Sequence, residues 1–282
     1  MPDPVLSRPR SVLTSIASPT DRPDEDRALL AAGAALAGHL GRPDPHIYWS
    51  DLTITAIIAY GAFASMVRSH EAAITSVLAI VALLAFYRGS CFIHELSHLR
   101  RDRLPGFAAA WNILFGIPLL MPSFLYRDVH SQHHAKHIYG TARDPEYLPL
   151  AGRRPHALAT FVAAAALAPI GLLLRFAVLA PLSLLDRRLR RLVVERRSAL
   201  AINPAYRRRA PTGAFRREWH RFEVATSLWA IALLALVATD RIAGRAFLLA
   251  LLLGSGIALL NQLRTLDFSE VSNIVGRPMG HL

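Results

Sequence analysis

Uncharged stretches recur along the chain at close to membrane-spanning length. Leu52 to Val67 is a run of 16 uncharged residues. It can extend into its flanks toward the roughly 20 residues a bilayer requires, with Trp49 as an interfacial anchor. A short polar link, Arg68 to Glu71, follows. Ala72 to Phe86 is apolar again, and the pattern predicts one helix continuing through Cys91 to His98. Phe222 to Thr239 and Arg245 to Gln262 form a second pair, with Asp240 and Arg241 in the link. A soluble helix with one wet face would not tolerate runs this free of charge.

Two further apolar segments do not read as simple spans. Phe107 to Phe124 carries Pro118 and Pro122 and lies between two histidine clusters. If those clusters share one site, the segment must dip in and return, or lie flat. Ala157 to Leu185 contains Pro169, Arg175 and Pro181, and arginines flank it. An even number of crossings or an interfacial helix is expected there. The internal arginine favours the interface. The sum is an all-α integral membrane fold: four transmembrane helices in two hairpins, interfacial helices and a cytoplasmic histidine-rich cap. Residues 1–44 read as a polar leader with a short helix over 27–40. Residues 45–275 form the membrane domain, and 276–282 a tail.

Composition supports this division. Hydrophobic residues make up 53% of the 282 and charged residues 18%, against about 25% charged in soluble domains. The net charge is +12, and Lys136 is the sole lysine. The arginines cluster beside apolar spans, as the positive-inside rule requires. That places the termini and histidines on the cytoplasmic face of a bacterial inner membrane and argues against nucleic acid as a partner. Arg187, Arg188, Arg190, Arg191, Arg207, Arg208 and Arg209 read first as topology determinants. A docking surface for an acidic electron carrier or lipid headgroups is the second reading. The single cysteine, Cys91, excludes an intrachain disulfide and a zinc finger. No apolar signal-peptide core occurs in the first 30 residues.

Six of the 12 histidines fall between residues 94 and 137. His94-Glu95-Leu96-Ser97-His98 stacks two imidazoles one helical turn apart. His130-Ser131-Gln132-His133-His134 follows, and on a continuing helix His130, His133, His134 and His137 would share one stripe. Imidazole ligates iron, zinc and copper. The first cluster also satisfies H-E-x-x-H, in which Glu95 would be the general base of a zinc protease. Zinc at such a site needs three protein ligands. Five or more imidazoles exceed that and point to two metals.

These boxes resemble the membrane fatty acid desaturase family, which carries H-x-x-x-H and H-x-x-H-H. Here 31 residues separate His98 from His130. Tyr139-Gly140-Thr141-Ala142-Arg143-Asp144-Pro145-Glu146-Tyr147 and Asn261-Gln262-Leu263-Arg264-Thr265-Leu266 are similar to its bacterial members. The resemblance covers roughly residues 45–275. It implies an O2-dependent fatty acyl or lipid desaturase with two non-haem irons, a membrane lipid or acyl substrate, and an electron donor such as ferredoxin or a cytochrome. It implies His94, His98, His130, His133 and His134 as iron ligands, with Glu95 or Asp144 orienting an imidazole. The chain departs from the family at two places. No third H-x-x-H-H follows the last span, and Ser269 stands where members tend to have a histidine. His137 and Asn261 are the candidate replacements. The expectation is a truncated or divergent member with weakened iron binding. The remaining alternatives are a zinc protease and a non-catalytic membrane protein.

Overall fold

The computed structural model describes residues 27–33, 43–99, 102–141, 143–147 and 155–274, and side chains for all of these except 155–158 and 265–274. The expected leader up to residue 26, the rest of the short helix beyond residue 33, the Ser269 side chain and the tail lie outside what it describes. The chain divides into two units, 1–44 and 45–282. In the first, α1 spans 27–33.

Among the described residues, the regular structure of the second unit is helical throughout. α2 (Pro45–Arg68) and α3 (Ala72–His98) form the first hairpin. Both are long and apolar enough to cross a membrane, as are the first 21 residues (Gly244–Arg264) of the last helix and the helix before it. The chain is therefore a multi-pass membrane protein by length and composition.

The Phe107–Phe124 segment does not cross. α4 (Phe107–Trp111) runs into a π turn (Asn112–Gly116), and a short 3-10 turn (Ser123–Leu125) brings the chain back. Ten helical residues cannot span about 30 Å of hydrocarbon. Buried aromatics pin the segment to α3. Trp111 Nε1 donates to the Gly89 carbonyl at 2.8 Å. The Phe115 ring lies directly against Gly89, so a Cβ there would occupy the ring's place. Its return delivers α5 (Val129–His133) beneath the end of α3.

The Ala157–Leu185 segment is a broken helix. α6 (Pro155–Ala166) meets α7 (Ala168–Leu174) at a 54° bend. Pro169 sits just inside α7, where it cannot supply the N–H that would bond back into α6. A π turn (Arg175–Leu179) and α8 (Ala180–Leu182) complete it. Arg175, the residue that favoured an interfacial helix, points into the fold: it is 3% exposed and donates to Glu223 Oε1 at 2.7 Å, to the Arg197 carbonyl and to Ser198 Oγ. Protein partners replace water, so the charge is carried inside the fold.

α9 (Arg187–Arg196) is basic and amphipathic, capped by Asp186. α10 (Gly213–Ala238) packs on the 175–179 π turn, whereas α11 (Gly244–Ile274) packs on α3, α6 and α7. Small residues permit this close approach. A Cβ at Gly254 would stand 2.9 Å from Pro169 Cγ, and Ser255 Oγ donates to the Ala166 carbonyl at 2.7 Å.

Glu223 also receives Arg190 Nη2 at 2.7 Å, so one carboxylate serves two guanidinium groups. Removing one member of a buried pair leaves an uncompensated charge. Glu223→Ala is expected to cost about 3–5 kcal/mol, read as a lowered thermal midpoint in detergent. Glu195→Ala removes only the exposed pair with Arg191 and should leave that midpoint nearly unchanged.

Candidate metal centre

The last turn of α3 presents His94 and His98 on one face, four residues apart. α5 brings His130 and His133 opposite, with His134 at its C-cap. Neighbouring ring centroids among His94, His98, His130 and His134 lie 4.3–5.2 Å apart. His133 is 5.4 Å from His134 and 5.9 Å from His130. All five sequence-predicted histidines therefore come together.

The expected stripe through His137 does not form, because α5 ends at His133. Gly140 adopts a positive φ of 67°, and the chain folds back. Asp144 then collects the backbone N–H groups of Gly140 and Glu146, each at 2.9 Å, and the His133 ring at 3.0 Å. A longer helix would forfeit all three bonds. His137 is left on an exposed turn. Asn261 is exposed on α11, where Arg264 Nη2 donates to its side-chain Oδ1 at 3.4 Å.

His130 is the hub of the cluster and is buried. Its Nε2 stands 2.8 Å from His98 Nε2 and 2.9 Å from His134 Nε2. Its Nδ1 lies 3.0 Å from Glu146 Oε1 and 2.9 Å from the Tyr126 hydroxyl, which itself donates to Glu146 at 3.0 Å. An ionised carboxylate only accepts, so the His130 proton belongs on Nδ1. One Nε2 lone pair then faces two other ring nitrogens. Ligand atoms of His94, His98 and His130 all lie within 4.8 Å of one another.

Carboxylates and burial act on the rings in opposite directions. The hydrogen bond that His133 donates to Asp144 pushes the His133 pKa up, against the effect of burial. Burial and the neighbouring His130 and His133 rings push His134 down. Burial alone would raise Asp144, but His133 and two backbone N–H groups outweigh it and hold the carboxyl below its ordinary range. Glu146 behaves likewise, with His130, His133 and Tyr126 overcoming burial.

Comparison with known proteins is consistent with this arrangement. Residues 69–265 match the fatty acid desaturase family. The chain belongs to that family. It is also 42% identical over 241 residues to a ceramide hydroxylase of Caulobacter vibrioides (strain NA1000 / CB15N), covering 86% of this chain and 68% of that protein. No solved structure matches.

Membership in the desaturase family implies a histidine-ligated iron pair, and the imidazole donors gathered around His130 are of the kind that holds iron. Two imidazoles bound to one metal at about 2.1 Å and at right angles stand about 3 Å apart. The two ring-nitrogen separations around His130 are close to that value.

Of the two carboxylates singled out in sequence, Asp144 does hold a histidine. Glu95 is instead engaged by the Tyr48 hydroxyl at 3.2 Å and stands 3.7 Å from His94 Nδ1. Sequence reading missed Glu146, although the Asp144-Pro145-Glu146 motif was in view. The signal was a second acid two residues on, in a segment otherwise placed by resemblance. Asn203 was missed as well. Its amide donates to the Asp144 carbonyl at 2.9 Å and its backbone N–H to the Pro145 carbonyl at 2.9 Å.

Glu146→Ala frees His130 to rotate. It is expected to lower affinity for ferrous or cobaltous ion about 10–100-fold, measured by optical titration of metal-free protein. Glu146→Gln keeps an acceptor for Nδ1 and should fall between the two.

Proposed function

We propose that this chain oxidises an unactivated C–H bond of a membrane lipid with O2. The iron pair is held by His94, His98, His130, His133 and His134, and the substrate is a ceramide-type lipid that is hydroxylated. The observation that carries the chemistry is the convergence of His98 and His134 on the buried Nε2 of His130. Similarity to the ceramide hydroxylase supports the substrate and the outcome. Desaturation of a fatty acyl chain is the second reading, favoured by the family match. The protease reading of His94, Glu95 and His98 draws no support from that match.

Iron, when bound, supplies the two-electron activation of O2 that such a C–H bond requires. The chain's own residues prepare the site. Glu146 and Tyr126 fix the His130 ring and tautomer, and Asp144 does the same for His133. The apolar helices admit hydrocarbon to the cytoplasmic boundary where the histidines stand. Reducing equivalents come from a separate donor such as a ferredoxin or cytochrome. The proposed orientation keeps site and termini cytoplasmic.

The test is expression in a bacterial host whose own lipids lack the modification, with ceramide supplied. Mass spectrometry should show product 16 mass units heavier, one oxygen atom gained. A product two units lighter would instead establish desaturation. His133→Ala should abolish either product and reduce iron per chain. Product formation undiminished in that variant would sink the assignment of His133 to the metal.

A further inference from the structure

α9 has two unlike faces. Val193 and Val194 are buried, and Arg190 Nη2 turns inward to Glu223 at 2.7 Å. Successive helix residues are about 100° apart, which puts Arg187, Arg188, Arg191, Leu192 and Arg196 on the other half. All five are exposed. Glu195 shares that half and pairs with Arg191 at 2.7 Å.

The corner that leads into α9 is apolar and also faces outward. Leu182, Leu184 and Leu185 are 48%, 67% and 85% exposed, at the end of the apolar broken helix. The corner has a defined shape, because the Leu189 N–H donates to Asp186 Oδ1 at 2.8 Å and Ser183 between the leucines is buried. Leucine side chains and guanidinium groups therefore leave the fold side by side. A soluble acidic protein would match the arginines but not the leucines. Hydrocarbon bordered by a layer of phosphates matches both, since arginine stems stay with the apolar zone while the charge reaches the headgroups.

We infer that the α8–α9 corner is a binding surface for anionic phospholipid. Leu184, Leu185 and Leu192 enter the acyl boundary, and Arg187, Arg188, Arg191 and Arg196 engage the phosphates of the same leaflet. α9 is fastened to the support of the metal centre. The Arg208 N–H donates to the Glu195 carbonyl at 2.9 Å, and Asn203 of the same segment donates to the carbonyls of residues 144 and 145. Lipid held at α9 thus fixes the depth at which the histidines stand relative to the hydrocarbon. The inference is independent of which lipid the centre oxidises.

The test titrates the full chain in neutral detergent with phosphatidylglycerol or phosphatidylcholine and counts retained lipid by native mass spectrometry. Wild type is expected to prefer phosphatidylglycerol about tenfold or more, and the preference should shrink as salt is raised. Combining Arg187→Gln, Arg188→Gln and Arg191→Gln should weaken phosphatidylglycerol retention about a hundredfold and leave phosphatidylcholine nearly unchanged. Should the triple variant not fold, the single substitutions decide, each expected to cost about fivefold. Leu184→Ser with Leu185→Ser should weaken both lipids alike. Equal retention of the two lipids by wild type, or an undiminished preference in a folded arginine variant, overturns the assignment. An arginine variant that keeps its lipid preference but no longer binds an acidic ferredoxin would give the face to a protein partner instead.

Discussion

Imidazoles crowded nitrogen to nitrogen repel one another when protonated and lose hydration when neutral. In this chain they converge because carboxylates hold their far sides. Glu146 takes His130 through Nδ1, and Asp144 takes His133. Each bond fixes a ring plane and commits the proton to Nδ1, and in His130 this leaves Nε2 with a lone pair facing the cluster. The same two acids set the backbone. Asp144 ends α5 by gathering N–H groups from Gly140 and Glu146, and so turns its own loop back onto the histidines.

That loop is anchored in turn to the basic segment before α10. Asn203 bonds residues 144 and 145, and Tyr206 accepts from Gln132 at 2.9 Å. Arg208, buried beside Trp219, donates to the Leu125 and Ser198 carbonyls. Burial lowers its pKa to about 10, which leaves it charged at neutral pH. Arg175 and Glu223 tie the same segment to the broken helix and to α10. Two of the arginines that read as topology determinants, Arg190 and Arg208, therefore also hold the fold together. Arg187, Arg188, Arg191, Arg207 and Arg209 remain exposed.

The membrane spans and both histidine boxes were legible in sequence because each rests on a local periodicity. Charge-free length marks α2, α3, α10 and α11, and the spacing of His94 and His98 needs only one helical turn. What was illegible depends on partners far along the chain. The interior place of Arg175 required Glu223, 48 residues away. The early end of α5 required Asp144, 11 residues beyond His133. Glu146 could have been suspected, since a carboxylate behind a ligating imidazole is a general need, but the sequence alone does not pair it with His130.

The five rings are not equally enclosed. His130 is buried and His94 half-buried, whereas His98 and His134 are exposed. One edge of the cluster thus lies on the surface of the fold while its hub sits behind protein. For the oxidation proposed above, that edge is the shortest approach for protons, dissolved oxygen and reducing equivalents from outside the chain.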